Sequence, residues 1–351
     1  MGLRSIVTLM CLLLAGIANA RDVEQLGTLH AGAGEAVSGY LEVPASGGDA
    51  GARIPVSLVR GASPGPVLAL VAGTHGYEYP GITALQQLRQ TIDPKALRGT
   101  LILVHIANPP SFYGRTIYTS PADGKNLNRV YPGKPDGTLS ERIAHAITTQ
   151  VIANADFLVD LHAGDGNEAL RPYAYMPVTH DAKLDAAIRG MAIAFGLDHI
   201  VIDDARVIQG EQTKFTDQTA IARGIPAITT ETGQLGQNDE RTVALAEHGI
   251  WNLMHHLGML EGAAQVNPGV VWLKDYQVIT SPATGVFRAS VHEGYAVAEG
   301  GLLGELFDPF GAKIAEVRAP FAGVVNYVIG TPPAVEGQPL GMVSRIAAPP
   351  P

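Results

Sequence analysis

Cysteine is almost missing from this chain of 351 residues; the single one, Cys11, falls within the first twenty. An internal disulfide and a thiolate metal site are therefore excluded, and a catalytic cation would have to sit on His, Glu or Asp. Basic residues are also scarce, with 24 Lys and Arg against 33 Asp and Glu and a formal net charge of -9. Such a balance repels the phosphates of a nucleic acid and gives an anionic membrane surface little to hold. There is no long repeat and no low-complexity linker. What is present is a hydrophobic fraction of 46%, with 41 Gly and 24 Pro to make tight turns. The length allows two domains and a large core.

One apolar stretch stands outside the fold argument. "MGLRSIVTLMCLLLAGIANA" carries one basic residue, Arg4, then an apolar run, then Ala18-Asn19-Ala20. The run is short for a membrane anchor and ends in the A-x-A pattern of a secretory signal. The expectation is cleavage after Ala20 and a periplasmic or secreted mature protein, with no membrane contact once cut. "TLMC" lacks the small residues of a lipoprotein site.

Past residue 21, apolar runs alternate with helical spacings. "PVLALVAG" (66–73), "TLILVHIAN" (100–108), "ADFLVDLH" (155–162) and "PAITTETG" (226–233) read as strands, the first as one buried on both faces. "GITALQQLRQTI", "TLSERIAHAITTQVIA", "KLDAAIRGMAIAFGL" and "FTDQTAIARG" read as helices, the second opened by Thr138 or Ser140. This alternation predicts an α/β domain over 21–265, with a mixed, largely parallel sheet flanked by helices. From about 268 to 347 the helical spacing stops. Short strands and Gly-containing turns predict a small all-β domain there.

Four segments carry the polar chemistry: "GTHGYE", "GRTIYTSPADGKNLNR", "DLHAGDG" and "ETG". Each lies at the end of an expected strand or in a long irregular loop, and the carboxyl edge of an open α/β sheet is where ligands bind. His75, Glu78, His162 and Glu231 can therefore converge. Two imidazoles and one carboxylate are a set that holds Zn²⁺ with a position left for water. Gly73 and Gly76 permit the turn that would bring His75 and Glu78 to one point. Asp160, two residues before His162, shares its strand face and can orient it. The plainer alternative is a turn histidine at 75 and a strand-end histidine at 162.

The order "GTHGYE", "NP…R…NLNRVYPG", "DLHAG", "TTETG" resembles the succinylglutamate desuccinylase/aspartoacylase family of the zinc carboxypeptidase superfamily, over about residues 50–262. The resemblance implies one Zn²⁺ per chain on His75, Glu78 and His162, and Glu231 as general acid and base. It implies that Arg115 polarises the scissile carbonyl, and that Asn128 and Arg129 hold a substrate carboxylate. The tyrosine that superfamily carboxypeptidases place near the substrate finds no clear match in Tyr173 or Tyr175. Arg223, upstream of Glu231, reads as a helix end entering a strand. "SPATGVF" and "APFAGVV" make the C-terminal region similar to a biotinyl/lipoyl-type barrel. The expected carrier turn, "YAVAEGGLLGEL", has no lysine to modify, so a structural or gating role is expected instead.

The resulting expectation is an exported zinc amidohydrolase that removes an acyl group from a small N-acyl amino acid or related amide. The alternative with the same chemistry is a metallocarboxypeptidase acting on peptides, cell-wall peptides included. A binding protein that keeps the metal but not turnover is a third, against which the presence of Glu231 speaks.

Overall fold

The computed structural model describes residues 22–204 and 213–350. The expected signal segment, 1–20, lies outside the described residues. A ribbon of β1 (Gln25–Leu26) and β2 (Leu29–His30) leads into β3 (Glu35–Val43), β4 (Ala52–Arg60) and β5 (Ser63–Ala72). Next come α1 (Tyr79–Thr91), β6 (Arg98–Val104), α2 (Pro109–Gly114), α3 (Leu139–Gln150) and β7 (Phe157–His162). The chain continues with β8 (Glu168–Leu170), β9 (Tyr173–Pro177), α4 (Ala182–Phe195), β10 (His199–Asp203), α5 (Thr216–Ile221), β11 (Ala227–Glu231) and α6 (Glu240–His256). The remainder is all strand: β12 (Val271–Thr280), β13 (Gly285–Ala289), β14 (Ala296–Val297), β15 (Leu302–Phe307), β16 (Lys313–Arg318), β17 (Gly323–Ile329), β18 (Pro333–Ala334) and β19 (Pro339–Ala347).

The apolar run of β5 explains the central layer. Leu68, Leu70 and Ala72 join one buried cluster with α1, α4 and α6. Val67, Ala69 and Val71 join a second cluster with α3. A strand covered by helices on both faces has no reason to alternate polar with apolar, and this one does not. Each such buried aliphatic side chain contributes roughly 1.5–3 kcal/mol. α3 starts where the sequence signals it, with Thr138 as N-cap and Glu141 reaching back to the Thr138 N–H at 2.9 Å. The expected strand over 100–108 stops earlier, at Val104. Its last residues bend across the end of β5, where Ala107 N–H donates to Ala72 O and Asn108 N–H to Gly73 O.

Strand order in the large sheet is β14-β17-β19-β12-β10-β9-β11-β7-β5-β6-β4-β3, with β8 paired to β17. The centre is parallel, with β6, β5, β7 and β11 side by side. The flanks are antiparallel, as at β3/β4 and β12/β19. The C-terminal strands are not set apart from this sheet. β12 pairs in parallel with β10, and β17 pairs with β8. A four-stranded sheet, β16-β15-β13-β18, covers the far side of their own apolar cluster. Among the described residues no helix is long and apolar enough to cross a membrane.

Candidate metal and active site

β5, β7 and β11 run in parallel as neighbours, so their carboxyl ends share one edge. His162 is the last residue of β7, Glu231 is the last of β11, and the two are register partners. His75 and Glu78 follow β5 in a turn that starts at Gly73, whose φ of 71° suits glycine. Gly76 is needed for a different reason. A Cβ there would collide with the carbonyl oxygens of Ser111 and Thr116. Glu78 then becomes the N-cap position of α1, with Pro80 opening the helix.

The three expected ligands meet. Glu78 Oε1 lies 2.6 Å from His75 Nδ1, and Glu78 Oε2 lies 2.9 Å from His162 Nδ1. One ligand atom from each residue falls within 4.8 Å of the others, and all three side chains are buried. The outer ring nitrogens are already engaged. His162 Nε2 is 2.9 Å from Asp160 Oδ2, and His75 Nε2 is 3.1 Å from Asn126 Oδ1. Both partners are acceptors, so each Nε2 carries the hydrogen and each Nδ1 is left with a lone pair pointing toward Glu78. Two lone pairs and a carboxylate repel one another in a buried site unless a cation or extra protons stand among them. This donor set, with its outer nitrogens anchored, fits a zinc ion.

The charges respond accordingly. Burial alone would raise the Glu78 carboxyl, but His162 and His75 hold it down at about 2. Burial works against charge on His162, and Asp160 and Glu78 overcome it, keeping that imidazole well above its ordinary range. His75 is raised in the same way by Glu78. Asp165, buried nearby, is pushed up to about 7 by desolvation and by the Glu78 charge.

A cavity of about 400 Å³ opens over the cluster. Glu231 lines it, as do Asn128 and Arg129. Asn128 is bound into the framework: its Oδ1 accepts from Thr216 N–H at 3.0 Å and from the Thr216 hydroxyl at 3.2 Å. The Arg129 guanidinium stacks 4.5 Å over the Phe215 ring and donates to Asn128 O at 2.7 Å. Arg115 is not brought to this place. It ends α2 in a left-handed conformation, φ 51°, with its side chain exposed, and it is not part of the cavity wall. The turn that stops α2 at Gly114 points it outward.

Several lining residues carry no sequence signal of their own. Tyr118 faces His75 edge-on with ring centroids 5.8 Å apart, and Glu168 sits beside it. Tyr276, Val278, Tyr327 and Met342 come from the C-terminal strands. Only the pairing of β8 with β17 and of β12 with β10 brings them here. Tyr173 and Tyr175, left without a role above, also line the wall, their hydroxyls 3.1 Å apart.

Residues 64–257 match the model of the succinylglutamate desuccinylase/aspartoacylase catalytic domain. The chain is 32% identical over 297 residues to the N-alpha-acetyl-L-2,4-diaminobutyric acid deacetylase of Halomonas elongata, covering 82% of this chain and 85% of that protein. A product-bound structure of the ectoine utilization protein EutE (DoeB) from Ruegeria pomeroyi superposes with a TM-score of 0.81 at 29% identity, covering 91% of this chain and 98% of the other. A succinylglutamate desuccinylase from Silicibacter sp. gives a TM-score of 0.79 at 28% identity, covering 89% and 95%.

Proposed function

Since the chain belongs to the succinylglutamate desuccinylase/aspartoacylase family, and is a hydrolase of amide bonds, we propose that it is a zinc-dependent deacylase of small N-acyl amino acids. The observation that carries this reading is the meeting of His75, Glu78 and His162 beneath a cavity that Glu231 also lines. A bound Zn²⁺ would supply Lewis acidity and lower the pKa of water in the site. Glu231 takes the proton of the attacking water and passes it to the leaving amine, the work of a general base turned acid. The planar fork of Arg129 suits the α-carboxylate that deacylation leaves on the amino acid. Asp160 and Asn126 hold the two imidazoles in the tautomer that faces Glu78. Arg115 has no part in this scheme.

The cavity volume accommodates an acylated amino acid, with β12, β17 and β19 supplying part of its wall, and the relatives named above are deacylases of such compounds. The deacylase reading is therefore preferred to the carboxypeptidase one. Relatives in the comparison act on compounds of opposite side-chain charge, a glutamate derivative in one and a diamino acid in another. Export remains part of the proposal on the strength of Ala18-Asn19-Ala20. The deciding experiment is a hydrolysis screen of the zinc-loaded protein against N-acetyl, N-succinyl and N-formyl amino acids and short peptides. Turnover of N-acyl amino acids with peptides left intact is expected. Cleavage of peptides alone would reverse the assignment.

A further inference from the structure

The cavity wall contains a carboxylate that hydrolysis does not need. Glu168 opens β8, where it pairs with Ile329 of β17. Its Oε1 accepts the Tyr118 hydroxyl at 2.7 Å, and its Oε2 accepts the Asp165 N–H at 3.2 Å. Tyr118 is itself held in an unusual state, with a φ of 60°. A bulky residue keeps that conformation only where its surroundings impose it. Here Tyr118 N–H donates to Asp165 Oδ2 at 3.3 Å and the ring rests against His75. Backbone strain, a buried acid and a short hydroxyl bond are thus combined to hold one carboxylate at the wall.

Each carboxylate oxygen has two lone pairs, so both Glu168 oxygens retain acceptor capacity after these bonds. The Tyr118 hydroxyl has given its hydrogen to Glu168 and can itself accept another. Tyr173, Tyr175, Tyr276 and Tyr327 add ring faces to the same wall. Carboxylate and aromatic faces together favour a cation. Among the described lining residues Arg129 is the one guanidinium or ammonium group, and Glu231 is a further carboxylate of the same wall. A substrate side chain bearing a carboxylate would meet repulsion there. Burial holds the Glu168 carboxyl above the usual range, against the Tyr118 bond, and an arriving ammonium would favour its ionised form.

We propose that Glu168, positioned by Tyr118, selects N-acyl amino acids with a cationic side chain, the N-acyl diamino acids, over N-acyl dicarboxylic acids. The assignment rests on the deacylase reading above and specifies which substrates of that class enter. A merely structural Glu168 would tie down the 163–168 loop and leave side-chain charge unread.

The test uses the zinc-loaded full chain and three probes of similar length: Nα-acetyl-2,4-diaminobutyrate, N-acetylnorvaline and N-acetylglutamate. The wild type is expected to favour the first over the second by about tenfold or more in kcat/KM, mainly through KM. Glu168→Gln should bring that ratio to about one, and Tyr118→Phe should lower it in part, with melting temperatures checked for both. A ratio unchanged in Glu168→Gln, or a wild-type preference for N-acetylglutamate, overturns the proposal. If none of the three is hydrolysed, acetyl is not the acyl group removed, the deacylase reading passes to the wider acyl screen above, and calorimetry with free diaminobutyrate, norvaline and glutamate still tests the selection. Preferential binding of the diamino acid that Glu168→Gln abolishes supports it; equal binding by both proteins refutes it.

Discussion

Replacing Asp160 tests the metal site from behind. The carboxylate has no solvent exposure, and its Oδ2 lies 2.9 Å from His162 Nε2. It fixes the ring's tautomer and adds negative charge to the ligand. Asp160→Asn keeps an acceptor of the same shape and removes only the charge. Asp160→Ala removes both and frees the ring to turn. Losing such an outer partner lowers metal affinity about 10- to 100-fold, so Asn should fall near the lower figure and Ala near the upper. In free energy that is about 1.4 to 2.8 kcal/mol. Zinc competition against a chromophoric chelator measures it directly. Thermal unfolding gives a second reading, because zinc-dependent stabilisation at saturating metal shrinks by about 1.4 kcal/mol per tenfold loss in affinity. A folded Asp160→Ala protein with zinc affinity within about twofold of wild type would show that His162 is not held through Asp160.

Other outcomes follow from single contacts. Gly76→Ala should push the His75–Glu78 turn off the Ser111 and Thr116 carbonyls, lowering stability by about 1–3 kcal/mol and zinc affinity with it, as denaturation and metal titration would record. His105, bonded to Ser57 at 2.8 Å, is driven down to about 4 by burial and by Arg89. Its folded value lies below the ordinary ~6.5 of the unfolded chain, so its contribution is complete above pH 6.5 and is lost as pH falls through 4. Urea unfolding should show up to about 3 kcal/mol of lost stability over that window, and His105→Asn should flatten the curve. Trimming the wall with Met342→Ala should raise the preference for butyryl over acetyl substrates by about tenfold; an unmoved ratio would mean that β19 does not border the acyl group.

The meeting of His75, Glu78 and His162 was legible because its parts are local. A buried strand followed by a glycine turn, or a strand ending in a histidine, places side chains at a sheet edge by geometry alone. His75, Glu78 and His162 needed only the parallel order of β5 and β7 to meet. Asp160 was legible for the same reason, as a neighbour two residues along one strand. The position of Arg115 depends on how α2 ends, and a left-handed stop is not written in "FYGRT". Glu168 and Tyr118 were missed because their roles arise from each other, across a loop with no periodicity. Tyr276 and Tyr327 were missed because the all-β tail reads as an appendage. Its strands β12, β14, β17 and β19 in fact extend the same sheet, and that pairing is long-range information that spacing does not carry.

The unbroken ladder from β3 to β14 also limits how this protein can change. Among the described residues the ladder shows no seam along which the C-terminal part of the cavity wall could be traded between relatives as a cassette. A transplanted 271–347 segment would have to match the edge of β10 at Val201 and the Tyr327–Leu170 pairing at the same time. New selectivity is therefore more accessible by single substitutions in the wall than by recombination, and floor and roof should melt as one unit.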